Sequence, residues 1–154
     1  MTTNGRPITI LLADDDQDDL MMTREALQQS RLGNDLRSVL DGEELMDYLL
    51  RRGLYADPAS APQPGLILLD LNMPKKDGRE ALAEIKADPK LRKIPVVVLT
   101  TSRAEEDVFR TYDLGVSSFI TKPVTFDGLV EAMKVLAHYW FEIVELPSRR
   151  RLYG

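Results

Sequence analysis

Leu66-Ile67-Leu68-Leu69-Asp70-Leu71-Asn72-Met73-Pro74 passes from four apolar residues straight into an acid and then into a turn. A short, wholly apolar run of this kind reads as a strand buried on both faces, as in a parallel sheet covered by helices. Three more runs share the pattern. Ile8 to Ala13 ends in Asp14-Asp15-Asp16, Val96 to Leu99 ends at Thr100, and Val116 to Ile120 reaches Lys122-Pro123 after Thr121. A weaker run, Leu36 to Leu40, ends at Asp41-Gly42 and adds no evident chemistry.

Helical spacing fills the gaps. Leu20 and Leu27 mark the inner face of a helix capped by Asp18 or Asp19 and stopped by Gly33-Asn34. Asp41 with Glu44 resembles a capping box before Leu45, Tyr48 and Leu49. Gly78 to Ala87 carries Leu82 and Ile85 inward, and Ser102 with Glu105 opens a helix that ends before Gly115. Leu129, Met133, Leu136, Trp140 and Val144 stripe the last helix. Residues Gly53 to Gly65, with Pro58, Pro62 and Pro64, read as a surface loop. Strands alternating with helices predict an α/β fold. Five of each fit a flavodoxin-like, doubly wound five-stranded parallel sheet of order 2-1-3-4-5, a (βα)5 architecture.

The chain has 154 residues, enough for one domain with a buried core. Residues 1–7 read as a flexible N-terminus, 8–147 as the single domain with an extended last helix and tail, and 148–154 as a basic tail. A net charge of −5 argues against general nucleic-acid binding. No run is long and apolar enough to span a membrane, and the polar N-terminus has no signal-peptide core, so a cytoplasmic protein is expected. With no cysteine, thiolate chemistry and disulfides are excluded.

In such a sheet all strand carboxyl ends share one edge, and ligands bind where the strand order switches, here between strands one and three. Asp14, Asp15 and Asp70 belong to those two strands. Packed acids repel unless a cation joins them. Mg²⁺ takes oxygen ligands and keeps several waters. Asp15 and Asp70 are candidate direct ligands, Asp14 a ligand through water, and the backbone carbonyl of Asn72 a further oxygen. Asp70 is the candidate nucleophile, ionised without a base at neutral pH. Lys122 would neutralise a transferring phosphoryl group, and Thr100 would hydrogen-bond it. Each element alone has a plain structural reading as a cap, a turn or a strand end. Their joint occurrence at four strand ends, in order, carries the site.

Together, Asp14-Asp15, Asp70 with Leu-Asn-Met-Pro, Asp77-Gly78, Thr100 and Lys122-Pro123 resemble the receiver domain of bacterial two-component response regulators. The resemblance extends from Ile8 to about His138. It implies that a sensor histidine kinase transfers a phosphoryl group to Asp70 with Mg²⁺ or Mn²⁺. It also implies a switch in which Thr100 and Phe119 move. On this reading the chain is a phosphoacceptor signalling protein and catalyses only its own phosphorylation and dephosphorylation. The Pro-rich insertion, the run from Asp70 to Glu80, Leu99-Thr-Thr-Ser102 and the tail Trp140-Phe141 to Leu146-Pro147 are similar to stand-alone regulators paired with phytochrome-type kinases. A bacteriophytochrome is therefore one candidate kinase and another sensor kinase the alternative.

Tyr139, Trp140, Phe141 and Ile143 crowd apolar surface near the chain end, more than one helix face can bury. They predict a partner face and a two-fold homodimer through the helix after strand four, strand five, the last helix and the tail. Output is expected through a target protein or a phosphotransfer protein. An acid-rich Mg²⁺ phosphohydrolase is the rival reading. It would need a second acid two residues after the nucleophile, where this chain has Asn72.

Overall fold

The computed structural model describes residues 9–29, 35–100, 118–121, 123 and 125–138, with the side chains of Thr100, Ser118, Phe119, Thr121, Ala137 and His138 outside that description. Five parallel strands form one sheet in the order β2-β1-β3-β4-β5. They are β1 (Thr9–Ala13), β2 (Asp35–Val39), β3 (Leu66–Asp70), β4 (Val96–Thr100) and β5 (Ser118–Thr121). The α-helices among the described residues are α1 (Gln17–Gln29), α2 (Gly42–Leu50), α3 (Gly78–Ala87) and α4 (Phe126–His138). The helix expected from Ser102 to Leu114 lies outside the described residues.

The apolar runs are continuous because the sheet is covered on both faces. Leu11, Ala13, Ile67, Leu69, Val96 and Val98 share a core with α2 and α3, including Leu45, Leu82 and Ile85. Ile10, Leu12, Leu66, Leu68, Val97 and Leu99 face the other way, against Leu20 and Leu27 of α1 and Leu129, Met133 and Leu136 of α4. Alternate residues along each strand thus enter opposite cores. Burying one Leu or Ile fully contributes about 2 kcal/mol, so β1, β3 and β4 anchor the domain.

Local details adjust the sequence reading. α1 is capped by Asp16, not by Asp18 or Asp19: its Oδ1 accepts from the N–H of Asp18 at 2.9 Å and of Asp19 at 3.3 Å. The acids expected as caps instead sit in the first turn, favourable beside the helix dipole. Asp41 caps α2 by accepting from the Glu44 N–H at 2.7 Å, as expected. Glu44 returns its Oε1 to the N–H of Leu40 rather than of Asp41, at 2.7 Å. Residues 53–65 are more than a surface loop. They contain short 3-10 helices at Gly53–Tyr55 and Pro58–Ser60, and Ala61 is buried. The Tyr55 hydroxyl donates to Glu44 Oε2 at 2.7 Å, and that of Tyr48 donates to the Pro62 carbonyl at 2.8 Å.

β2 is an edge strand and only its last residue is fully buried. There Thr9 Oγ1 donates to Asp35 Oδ2 at 2.8 Å, and Arg37 Nε donates to Asp35 Oδ1 at 3.0 Å. Burial pushes the Asp35 carboxyl up, but the Thr9 hydrogen bond and the hydrogen bond and charge of Arg37 outweigh it and hold the carboxyl below its ordinary value. A depressed folded pKa gives stability that is present above the unfolded pKa and lost as pH falls through the folded one. Asp35→Asn is therefore expected to lower the melting temperature at pH 7, with the gap from wild type closing below about pH 4. A gap that stays constant as the pH is lowered through the acid range would assign the effect to packing.

Candidate functional site

The sheet register decides which residues meet. Ala13 pairs with Val39 on one side and with Leu69 on the other, Asp70 with Leu99, and Thr100 with Thr121. The residues that end or follow the strands therefore line one carboxyl edge. The ladder runs one step past β1, where the Asp14 N–H donates to the Val39 carbonyl at 3.1 Å.

At that edge Asp14, Asp15 and Asp70 each offer a carboxylate oxygen, all within 4.8 Å of one another. Asp14 is 5% exposed and Asp70 8%, whereas Asp15 faces solvent. Carboxylates this close repel one another, and a cation between them offsets that repulsion. The donor set is all oxygen, which suits a hard divalent cation and leaves room for water through the open side at Asp15. Asp16 is not part of the group. Its carboxylate is engaged at the α1 cap, while its N–H donates to Asp14 Oδ1 at 3.0 Å.

Asp70 is positioned from both directions. Its backbone is locked into β3, and its Oδ1 accepts from the Asn72 N–H at 3.2 Å. The loop after it returns tightly, with the Gly78 N–H donating to the Leu71 carbonyl at 3.0 Å. α3 can begin there because residue 78 is glycine: a β-carbon would lie 2.5 Å from the Asp70 carbonyl oxygen and 2.8 Å from Leu71 Cα. Asp77 caps the helix by accepting from the Arg79 N–H at 2.6 Å.

The structure thus brings together Asp14, Asp15 and Asp70, with the Asn72 backbone adjacent. β4 places the Thr100 backbone on the same edge, one residue beyond the partner of Asp70. The Thr100 and Phe119 side chains, Lys122, Tyr139, Trp140, Phe141 and Ile143 lie outside the described residues. What sequence reasoning missed is the exit of β2. Gly42 is buried against the backbone of Lys76, in the loop that follows Asp70. The available signal was an Asp-Gly pair at 41–42 that matches the pair at 77–78.

A groove of about 500 Å³ lies at the opposite edge, between the end of α2 and the segments that lead into β3 and β4, lined by Leu49, Arg51, Gln63, Pro64 and Lys90 among others. The carboxylates are not part of it. None of the helices of the described residues is long and apolar enough to cross a membrane.

Comparison with known proteins places the chain in a family. The family model of the response regulator receiver domain matches residues 10–134. The chain is 44% identical over 142 residues to the response regulator Rcp1 of Synechocystis sp., covering 92% of this chain and 95% of that one. Among solved structures, the phosphorylated cyanobacterial phytochrome response regulator RcpA superposes with a TM-score of 0.82 at 46% identity, over 92% of this chain and 99% of that one. The Mn²⁺-bound form of Rcp1 gives 0.79 at 44%, with the same coverage.

Proposed function

The chain belongs to the response regulator receiver family, and from that premise we propose that Asp70 is the residue that takes the phosphoryl group. Receiver domains are the phosphoacceptors of two-component systems; they interact with histidine kinases and bind a divalent metal. The observation that carries the assignment is the trio Asp14, Asp15 and Asp70 within 4.8 Å at the carboxyl edge of the sheet, at the switch between β1 and β3.

In the step proposed, a carboxylate oxygen of Asp70 attacks the phosphorus of a phosphohistidine. The P–N bond breaks, the imidazole leaves with its electron pair and takes up a proton, and an acyl phosphate remains on Asp70. Asp14, Asp15, Asp70 and the Asn72 carbonyl would hold Mg²⁺ or Mn²⁺, which when bound neutralises charge on the phosphoryl oxygens. Thr100 would donate its hydroxyl to one of those oxygens, and the Lys122 ammonium would pair with another. Hydrolysis closes the cycle by attack of water on the same phosphorus, which releases phosphate and restores the carboxylate.

The likeness to RcpA and Rcp1 supports a phytochrome-type kinase as the donor. Phe119 as the switch residue, and a homodimer through Tyr139, Trp140, Phe141 and Ile143, complete the reading. Intact mass after incubation with acetyl phosphate and Mg²⁺ tests it. One phosphoryl adduct is expected, absent when the metal is chelated. An adduct of equal yield in chelator would overturn the metal-dependent step.

A further inference from the structure

The exit of β2 contributes no group to the carboxylate cluster, yet it touches the loop that follows Asp70. Gly42 opens α2, and a β-carbon there would overlap the carbonyl oxygen of Lys76 and come within 2.7 Å of its Cβ. This is backbone against backbone, so no change of rotamer relieves it. At the far end of the same loop, Gly78 is pressed on the Asp70 carbonyl and Leu71 Cα. Asp41, the α2 cap, presents its Oδ2 to Lys75 Nζ at 3.7 Å. Lys75 itself has φ 64, a left-handed conformation that side chains other than those of Gly, Asn and Asp rarely adopt. Local preference does not produce that shape at a lysine, so the packing around the loop imposes it. Asn72 lies between these fixed points.

We infer that the start of α2, through Gly42 and Asp41, is a positioning clamp that holds residues 71–77 so that the Asn72 carbonyl completes the cation site. The inference rests on the reading of Asp14, Asp15, Asp70 and Asn72 as cation ligands, and it adds residues that touch no ligand. The physical reason is the narrow tolerance of a small divalent ion in distance and angle. A loop displaced at Lys76 draws the carbonyl away, and water takes its place. Partners behind the ligands commonly control metal affinity 10- to 100-fold.

The test uses Mn²⁺ alone as the probe, on the full chain. Electron paramagnetic resonance titration gives its Kd, and water-proton relaxation gives the number of waters on the bound ion. Gly42→Ala is expected to bind about tenfold more weakly and to hold about one water more than wild type. A merely structural role for Gly42 would lower the melting temperature and leave the water number unchanged. Asp41→Asn keeps an oxygen to cap Glu44 but loses the charge that faces Lys75, and about two- to threefold weaker binding is expected. It carries the test if Gly42→Ala does not fold. Wild-type affinity and water number in the folded variants would overturn the clamp. Asp15→Asn separates the two readings: if it binds Mn²⁺ as wild type does, the cation-site assignment itself fails, whereas a weakened Asp15→Asn beside an unchanged Gly42→Ala removes only the clamp.

Discussion

Asp70→Asn is expected to abolish the phosphoryl adduct entirely while the protein stays folded. The substitution is isosteric, and the amide oxygen can still accept the 3.2 Å hydrogen bond from the Asn72 N–H. What disappears is the anionic nucleophile of the proposed transfer, since a neutral amide does not attack phosphorus at neutral pH. The fold should gain slightly, because one of three crowded carboxylates within 4.8 Å is neutralised. Intact mass after acetyl phosphate treatment should show no adduct, and thermal melting without metal should show an equal or higher midpoint. An adduct that persists at wild-type yield would move the acceptor to another side chain. A lower midpoint would mean that the carboxylate is held by interactions stronger than the repulsion.

Gly78→Ala is expected to destabilise the protein by about 3 kcal/mol, at the upper end of overpacking costs. Intrinsic propensity argues the other way, since Ala is favoured over Gly inside a helix by about 1 kcal/mol. Sterics decide the sign. The new β-carbon would meet the Asp70 carbonyl oxygen at 2.5 Å and Leu71 Cα at 2.8 Å, and neither atom can rotate aside. Either α3 retreats from the sheet, loosening Leu82 and Ile85, or the end of β3 shifts. Urea unfolding should show the lower midpoint at unchanged slope. A midpoint at or above wild type would show that α3 slides away at little cost. If the end of β3 shifts, phosphorylation should also slow in the same variant, because that backbone carries the proposed acceptor.

Much of this was legible in the sequence, for identifiable reasons. Strands buried on both faces have no polar alternation to blur them, so the runs that became β1, β3 and β4 stood out. Their carboxyl ends carry the acids and the hydroxyl, and parallel pairing aligns those ends without further information. The limits fall where tertiary contact decides. Asp70 and Thr100 turned out to be the last residues of their strands rather than the first beyond them, because each is paired in the ladder. In Asp14-Asp15-Asp16 the composition allows several caps, but only the backbone turn selects Asp16 for α1 and leaves Asp14 for the cluster. Residues 53–65 have the composition of a loop. Their order comes from Tyr55 reaching Glu44 and Tyr48 reaching Pro62, contacts between segments that carry no shared local signal. Gly42 is the clearest case, since its need for glycine comes from a loop more than thirty residues away.

The two ends of the sheet differ in how they meet other chains. An open edge strand offers a row of unpaired N–H and C=O groups to any extended peptide, and charged side chains are a common defence. β2 carries Asp35 and Arg37 in a strand of five residues, so an incoming strand would have to strip water from both. β5, at the opposite edge, reads Ser118-Phe119-Ile120-Thr121 and has no charge at all. Among the described residues, the charged defence against an added strand therefore lies at one edge of the sheet, on β2.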